Sequence, residues 1–138
     1  MMNAEVVRFA VAGAPRIMLR VEGLAILLIA TLAFVELDGS SALSLRWWWL
    51  APIFFAPDLS MLGYVLGPRI GSVLYNAAHN YAAPLVIGAF AFHSLDRASF
   101  ALCLLWIAHI GFDRALGYGL KYASGFSDTH LGRIGKPA

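Results

Sequence analysis

Charge is scarce in this chain. Of its 138 residues only 13% are Asp, Glu, Lys or Arg, about half the share of a typical soluble domain. There is one cysteine, Cys103, which excludes an intrachain disulfide and reads as a packing residue in an apolar run. The sequence has no HExxH and no paired CxxC, so no common local metal signature applies. The basic residues are scattered and the net charge is only +2, which excludes an electrostatic footprint for nucleic acid. No cleavable signal peptide is evident, because the stretch from Phe9 to Ala14 is short and Pro15 interrupts it. The first membrane helix is expected to act as the insertion signal.

What is abundant is hydrocarbon. Hydrophobic residues make up 60% of the chain, and the mean hydropathy is +0.73. A domain this small has too much surface to hide that excess from water, so apolar side chains must face lipid. Four stretches have about the 20 residues needed to cross a bilayer. They run from Ile17 to Leu37, Arg46 to Leu66, Ile70 to Phe92 and Ser99 to Leu120. The breaks at Asp38-Gly39-Ser40-Ser41, Gly67-Pro68-Arg69 and Ser94-Leu95-Asp96-Arg97 are short, which makes neighbours antiparallel. The expected fold is all-α, a four-helix up-and-down transmembrane bundle over residues 16–121. Residues 1–15 are expected to form an arm or interfacial segment. Residues 122–138 are expected to form a polar, glycine-rich tail that folds back on the bundle as a loop. Arg8, Arg16, Arg20, Arg69, Lys121, Arg133 and Lys136 fall on one side, which places both termini in the cytoplasm. Arg46-Trp47-Trp48-Trp49 reads as an aromatic belt at the other face. Pro52 and Pro57 each remove a backbone hydrogen bond, so the second span is expected to be kinked and buried. Gly63 and Gly67 are spaced for close helix contact.

The few ionisable residues inside the spans share one level. Counted inward from the cytoplasmic ends at about 1.5 Å per residue, Glu22, Asp58, His79, His109 and Asp113 lie about 8–16 Å deep. His109 and Asp113 are four apart and share a helix face, as do Tyr75 and His79. Buried charges in a membrane are costly and mark functional sites by default. Two imidazoles with carboxylates from facing helices suit zinc or iron. His79, His109, Asp113 and Asp58 are the expected ligands. Asp128 and His130 in the tail are further candidates that would complete or gate the site. Asp58, Glu22 and His130 are the candidate acid–base groups. A structural reading stands beside this one: Glu22 pairing with Arg16 or Arg20, Asp113 pairing with Arg114, and His109 bonding a carbonyl freed by the prolines. Asp128 would then cap a short helix opening at Thr129.

Arg20-Val-Glu22-Gly23, Ala56-Pro57-Asp58-Leu-Ser-Met-Leu-Gly63-Tyr64 and Tyr75-Asn76-Ala-Ala-His79 follow one another along the chain. After them come His109-Ile-Gly-Phe-Asp113-Arg114-Ala-Leu-Gly-Tyr-Gly-Leu-Lys121-Tyr122 and Gly125-Phe-Ser-Asp128-Thr-His130-Leu-Gly132. From about Arg16 onward the sequence resembles the small membrane-protein family designated domain of unknown function 4260. The resemblance implies a compact protein of the bacterial inner membrane and carries no activity with it. From the residues themselves, the leading expectation is a metal-dependent membrane hydrolase acting near the cytoplasmic face on a lipid-like substrate. The alternatives are a small proton-coupled carrier, which would need to dimerise to form a path, and a non-catalytic scaffold held by a polar network. The lipid bilayer is the expected partner, with a homodimer possible and no nucleic acid.

Overall fold

The computed structural model describes residues 10–135 and is mostly helical. Most of the expected N-terminal arm, residues 1–9, lies outside the described residues, as do residues 136–138. Helix α1 spans Gly13–Glu36, with Pro15 in its first turn, where a missing N–H leaves no bond unmade. Its large residues Ile17, Val21, Leu28, Ile29 and Leu32 are exposed, while Gly23, Ala30 and Phe34 turn inward. Two small residues inside, with large apolar ones outside, suit a helix that could face lipid. Three stretches are long and apolar enough to cross a membrane: Gly13–Glu36, Trp47–Leu66 and Arg97–Leu116.

A short α2 (Gly39–Ala42) and a 3-10 turn at Trp47–Trp49 lead into α3, Leu50–Phe54. The two prolines break this second stretch as expected, but it is not buried against the others: only Gly63 within it is buried, because its large apolar side chains face outward. Pro57 has no N–H to offer the carbonyl of Ile53, and α3 ends one turn before it. From Ala56 to Leu66 the backbone winds as a 3-10 helix. Eleven residues is long for that winding, which usually persists for three or four. Three residues per turn stack Phe55, Asp58 and Met61 on one face.

The third expected span is not one helix. It divides into α4, Pro68–Ala78, and α5, Ala82–His93. Side chains satisfy the carbonyls at the end of α4, which have no partner within the helix. The Asn80 amide donates to the carbonyls of Asn76 and Ala77 at 2.9 and 2.8 Å. The Trp106 indole donates to Ala78 at 2.6 Å and the Arg114 guanidinium to His79 at 2.9 Å. Asn80 also accepts from the Ala82 N–H at 3.0 Å, so one side chain closes α4 and opens α5. Pro84 sits in the first turn of α5, where it costs no bond.

Helix α6, Arg97–Leu116, is the most buried and forms the centre. Asp96 caps it by accepting from the Ser99 N–H at 3.1 Å. Gly117 at φ +95° stops it at Leu116, four residues short of the expected Leu120. Helix α1 lies along α6 at backbone contact. A Cβ on Gly111 would come within 2.7 Å of the Leu27 nitrogen, and one on Gly23 within 2.5 Å of the Arg114 Cβ. Gly63 meets α4 at Gly71 and Leu74, but Gly67 has open space around it and serves the turn at φ +109°. Near the N-terminus of α6 the core is wholly apolar, built on Phe34, Ala101, Leu104 and Leu105.

The tail is more ordered than a loop. Strands β1 (Asp128–Thr129) and β2 (Gly132–Arg133) form a minimal antiparallel hairpin, so Asp128 opens a strand rather than a helix. Asn76 clamps this tail to α4 by accepting from the Lys121 N–H at 2.7 Å and donating to its carbonyl at 2.9 Å. The Val11 N–H donates to the His130 carbonyl at 2.7 Å, which ties the two ends of the described chain together.

Candidate metal centre

Three elements converge at the C-terminal half of α6. Asp58 comes from the 3-10 segment, His79 from the residue that ends α4, and His109 and Asp113 from successive turns of α6. One ligand atom from each of the four lies within 4.8 Å of every other. His79 Nε2 is 3.2 Å from His109 Nε2, 3.3 Å from Asp58 Oδ1 and 3.5 Å from Asp113 Oδ2. His109 Nε2 is 3.5 Å from Asp58 Oδ1 and 3.9 Å from Asp113 Oδ2. Ligands about 2.0–2.1 Å from a tetrahedral ion are separated by about 3.3 Å. Five of the six separations, from 3.2 to 3.9 Å, are close to that spacing.

The hydrogen bonds around the cluster fix its chemistry. His79 Nδ1–H donates to the Tyr75 carbonyl at 2.9 Å, so in the neutral ring Nε2 carries a lone pair and points into the cluster. The Tyr75 ring stacks on His79 with centroids 3.8 Å apart, and its hydroxyl donates to Asp113 Oδ2 at 2.9 Å. Both contacts fix the orientation of cluster side chains, the role outer partners play where such a group holds a metal. His109 Nδ1 is buried without a hydrogen-bond partner. The rings of Phe54 and Phe55 flank His109 at centroid distances of 5.3 and 6.0 Å. Two histidines, wholly buried, and the nearly buried Asp113 make a dry base. The Asp58 side chain is 29% exposed and faces the way in.

That way in is a cavity of about 310 Å³. Phe55, Met61, Phe112, Phe126 and Ile134 supply its apolar wall. Asp58, Asp113, Tyr75 and Lys121 supply its polar part. Lys121 is only 5% exposed. Its Nζ donates to the Phe126 carbonyl at 2.8 Å and sits 3.5 Å from the Phe126 ring centre and 4.6 Å from that of Tyr75. Burial lowers its pKa to about 8, against the opposing pull of the Asp113 and Asp58 charges.

Of the residues singled out in the sequence, Asp58, His79, His109 and Asp113 come together. Glu22 is exposed on α1, outside the group. Asp128 Oδ2 accepts from the Ser124 hydroxyl at 2.8 Å and its other oxygen lies 3.6 Å from Arg133. His130 Nδ1 accepts from the Leu120 N–H at 2.8 Å. Burial and the Arg114 charge hold that imidazole below its ordinary pKa. Both tail residues are engaged in holding the tail. Arg114 binds the carbonyls of Tyr118 and His79, and no ion pair with Asp113 forms. Sequence reasoning passed over Lys121 as a site residue. The available signal was its place at the end of the motif that begins at His109, one residue beyond the last expected span.

The sequence model of a family described as Domain of unknown function (DUF4260) matches residues 16–134, and the chain belongs to that family. No curated protein and no solved structure matches it.

Proposed function

We propose that this member of the family is a membrane-embedded metalloenzyme that hydrolyses a lipid-like substrate, with a divalent ion held by His79, His109 and Asp113. The observation that carries the reading is the pair of imidazole Nε2 atoms 3.2 Å apart with two carboxylate oxygens beside them. The His79 tautomer aims a lone pair at its partner, so something electropositive belongs between them. A proton on His109 would serve one contact; an ion at the centre serves all four donors. Two carboxylates balance a divalent charge, and a mixed nitrogen and oxygen set suits zinc or ferrous iron. Such an ion polarises a water molecule and makes it nucleophilic near neutral pH. Asp58 lies on the cavity side and is the group placed to take the proton from that water. Before that transfer it would be a fourth ligand.

The membrane reading has its own support. Val11 and His130 are hydrogen bonded, so both lie at one side and the chain between them crosses an even number of times. With three long spans, α4 and α5 together supply a fourth crossing. The arginines and lysines near this side favour the cytoplasm of a bacterial inner membrane. A reporter fused after residue 138 should be active only in the cytoplasm; activity outside would reverse the orientation.

Elemental analysis of the purified chain tests the centre. One ion per chain is expected, lost on His79→Ala, His109→Ala or Asp113→Ala. Asp58→Asn should keep the ion and lose hydrolysis. Folded protein that takes up no zinc or iron would sink the enzyme. Proton-coupled uptake by such metal-free protein, abolished in Asp58→Asn, would select a carrier instead.

A further inference from the structure

We infer that the cavity beside the metal centre receives an amphiphile with a single negative charge, its oxyanion head held between the ion and Lys121 and its chain against Met61, Phe112 and Ile134. The inference rests on the metal reading and extends it to a substrate class. Lys121 is the reason. Among the described residues its ammonium has no carboxylate within ion-pair distance, yet it is almost fully buried. One of its three N–H groups goes to Phe126, and two remain for a ligand. The aromatic faces of Tyr75 and Phe126 soften the cost of burying the charge, but they accept no hydrogen bond of the strength an oxyanion does.

Charge addition points the same way. A divalent ion, the Asp58 and Asp113 carboxylates and the Lys121 ammonium leave one positive charge facing the cavity. One monoanion neutralises it. A cationic head would meet two like charges in a site of low dielectric, which is strongly unfavourable. Apart from Tyr75 and Tyr118 the remaining wall is apolar and matches an alkyl or acyl chain rather than a sugar or a peptide.

The test uses full-length protein in neutral lipid nanodiscs, loaded with one zinc per chain, and calorimetric titration against empty discs. Octanoate should bind saturably. It should bind far more tightly than acetate, by roughly three- to fourfold per added methylene, and octylammonium should not bind. Lys121→Met should weaken octanoate by about tenfold or more, the loss of one charge-assisted hydrogen bond, and Lys121→Arg should recover most of it. Zinc content reports whether each variant keeps its fold. Met61→Trp, which fills the apolar wall, should abolish octanoate binding and spare acetate, and it stands in should Lys121→Met fail to fold. Equal binding of octylammonium, equal binding of acetate, or octanoate affinity unchanged in Lys121→Met overturns the inference while zinc binding leaves the metal reading standing. Failure to take up zinc overturns both.

Discussion

Tyr75 touches the cluster twice, through its ring on His79 and its hydroxyl on Asp113, without being a ligand. Removing the hydroxyl in Tyr75→Phe should leave the fold intact and weaken zinc about 10–100-fold, the usual effect of losing an outer partner. Competition with a chelator of known affinity would measure it, and unchanged affinity would show that the hydroxyl positions nothing. Lys121 makes a prediction about pH. Its pKa is about 8 in the folded chain against an ordinary 10.5, so between those values the unfolded chain holds more protons. Stability should therefore rise as pH climbs from about 8 to 10.5. Denaturant unfolding across that range checks it, and the rise should vanish in Lys121→Met. At this scale the sequence was partly legible. The i, i+4 spacing and the shared depth were enough to pick out Asp58, His79, His109 and Asp113. Depth measures only distance along an axis, which is why Glu22 fell in the same slab while pointing away from the group. The tail has no periodicity, and nothing in its residue order shows that Asp128 and His130 are engaged in holding it.

Among the elements, the divided third span carries the lesson. Residues 70–92 have the length of a span although Asn76, His79 and Asn80 interrupt the apolar run, and Asn76 and Asn80 look like neighbours on one face. The structure uses Asn80 to end one helix and begin another, a role that depends on Trp106 and Arg114 reaching across from α6. No local pattern contains those partners. The break matters because His79 is the residue at which α4 stops, free to turn its ring toward α6. Asn80→Leu strips the carbonyls of Asn76 and Ala77 and the Ala82 N–H of their partner, each at about 1–3 kcal/mol when buried. The expected outcome is lower stability together with loss of zinc; a variant as stable as the parent would remove the cap from the account. The prolines of the second stretch, by contrast, announced its break, because a missing N–H is a local property.

For the whole molecule, polarity divides the interior along its length. One end is packed with Phe34, Ala101, Leu104 and Leu105; the other gathers every ligand and the tail. The fixed relation between the two ends depends on α1 lying against α6 with backbone touching backbone at Gly23 and Gly111. A methyl group at Gly111 would meet main-chain atoms that cannot swing aside. Gly111→Ala should cost about 1–3 kcal/mol by forcing the helices apart, read as a lowered unfolding midpoint in detergent. An unchanged midpoint would mean the pair is looser than drawn. The apolar excess was plain from composition, because it is a bulk property; of the four expected spans three are long and apolar enough to cross a membrane, and the third is not a single helix. How closely two helices approach is decided by which small residues face each other, and a single sequence does not say that.

The 3-10 winding of residues 56–66 leaves the centre dependent on pitch. Phe55, Asp58 and Met61 line the same cavity because three residues complete a turn. Rewound as an α-helix, positions three apart would diverge by about 60° at each step. The carboxylate of Asp58 would then swing off the imidazoles while all four donors remained in the sequence. A helix-favouring change that touches no donor, such as Pro57→Ala, would loosen the screw and leave only three of the four donors facing one another.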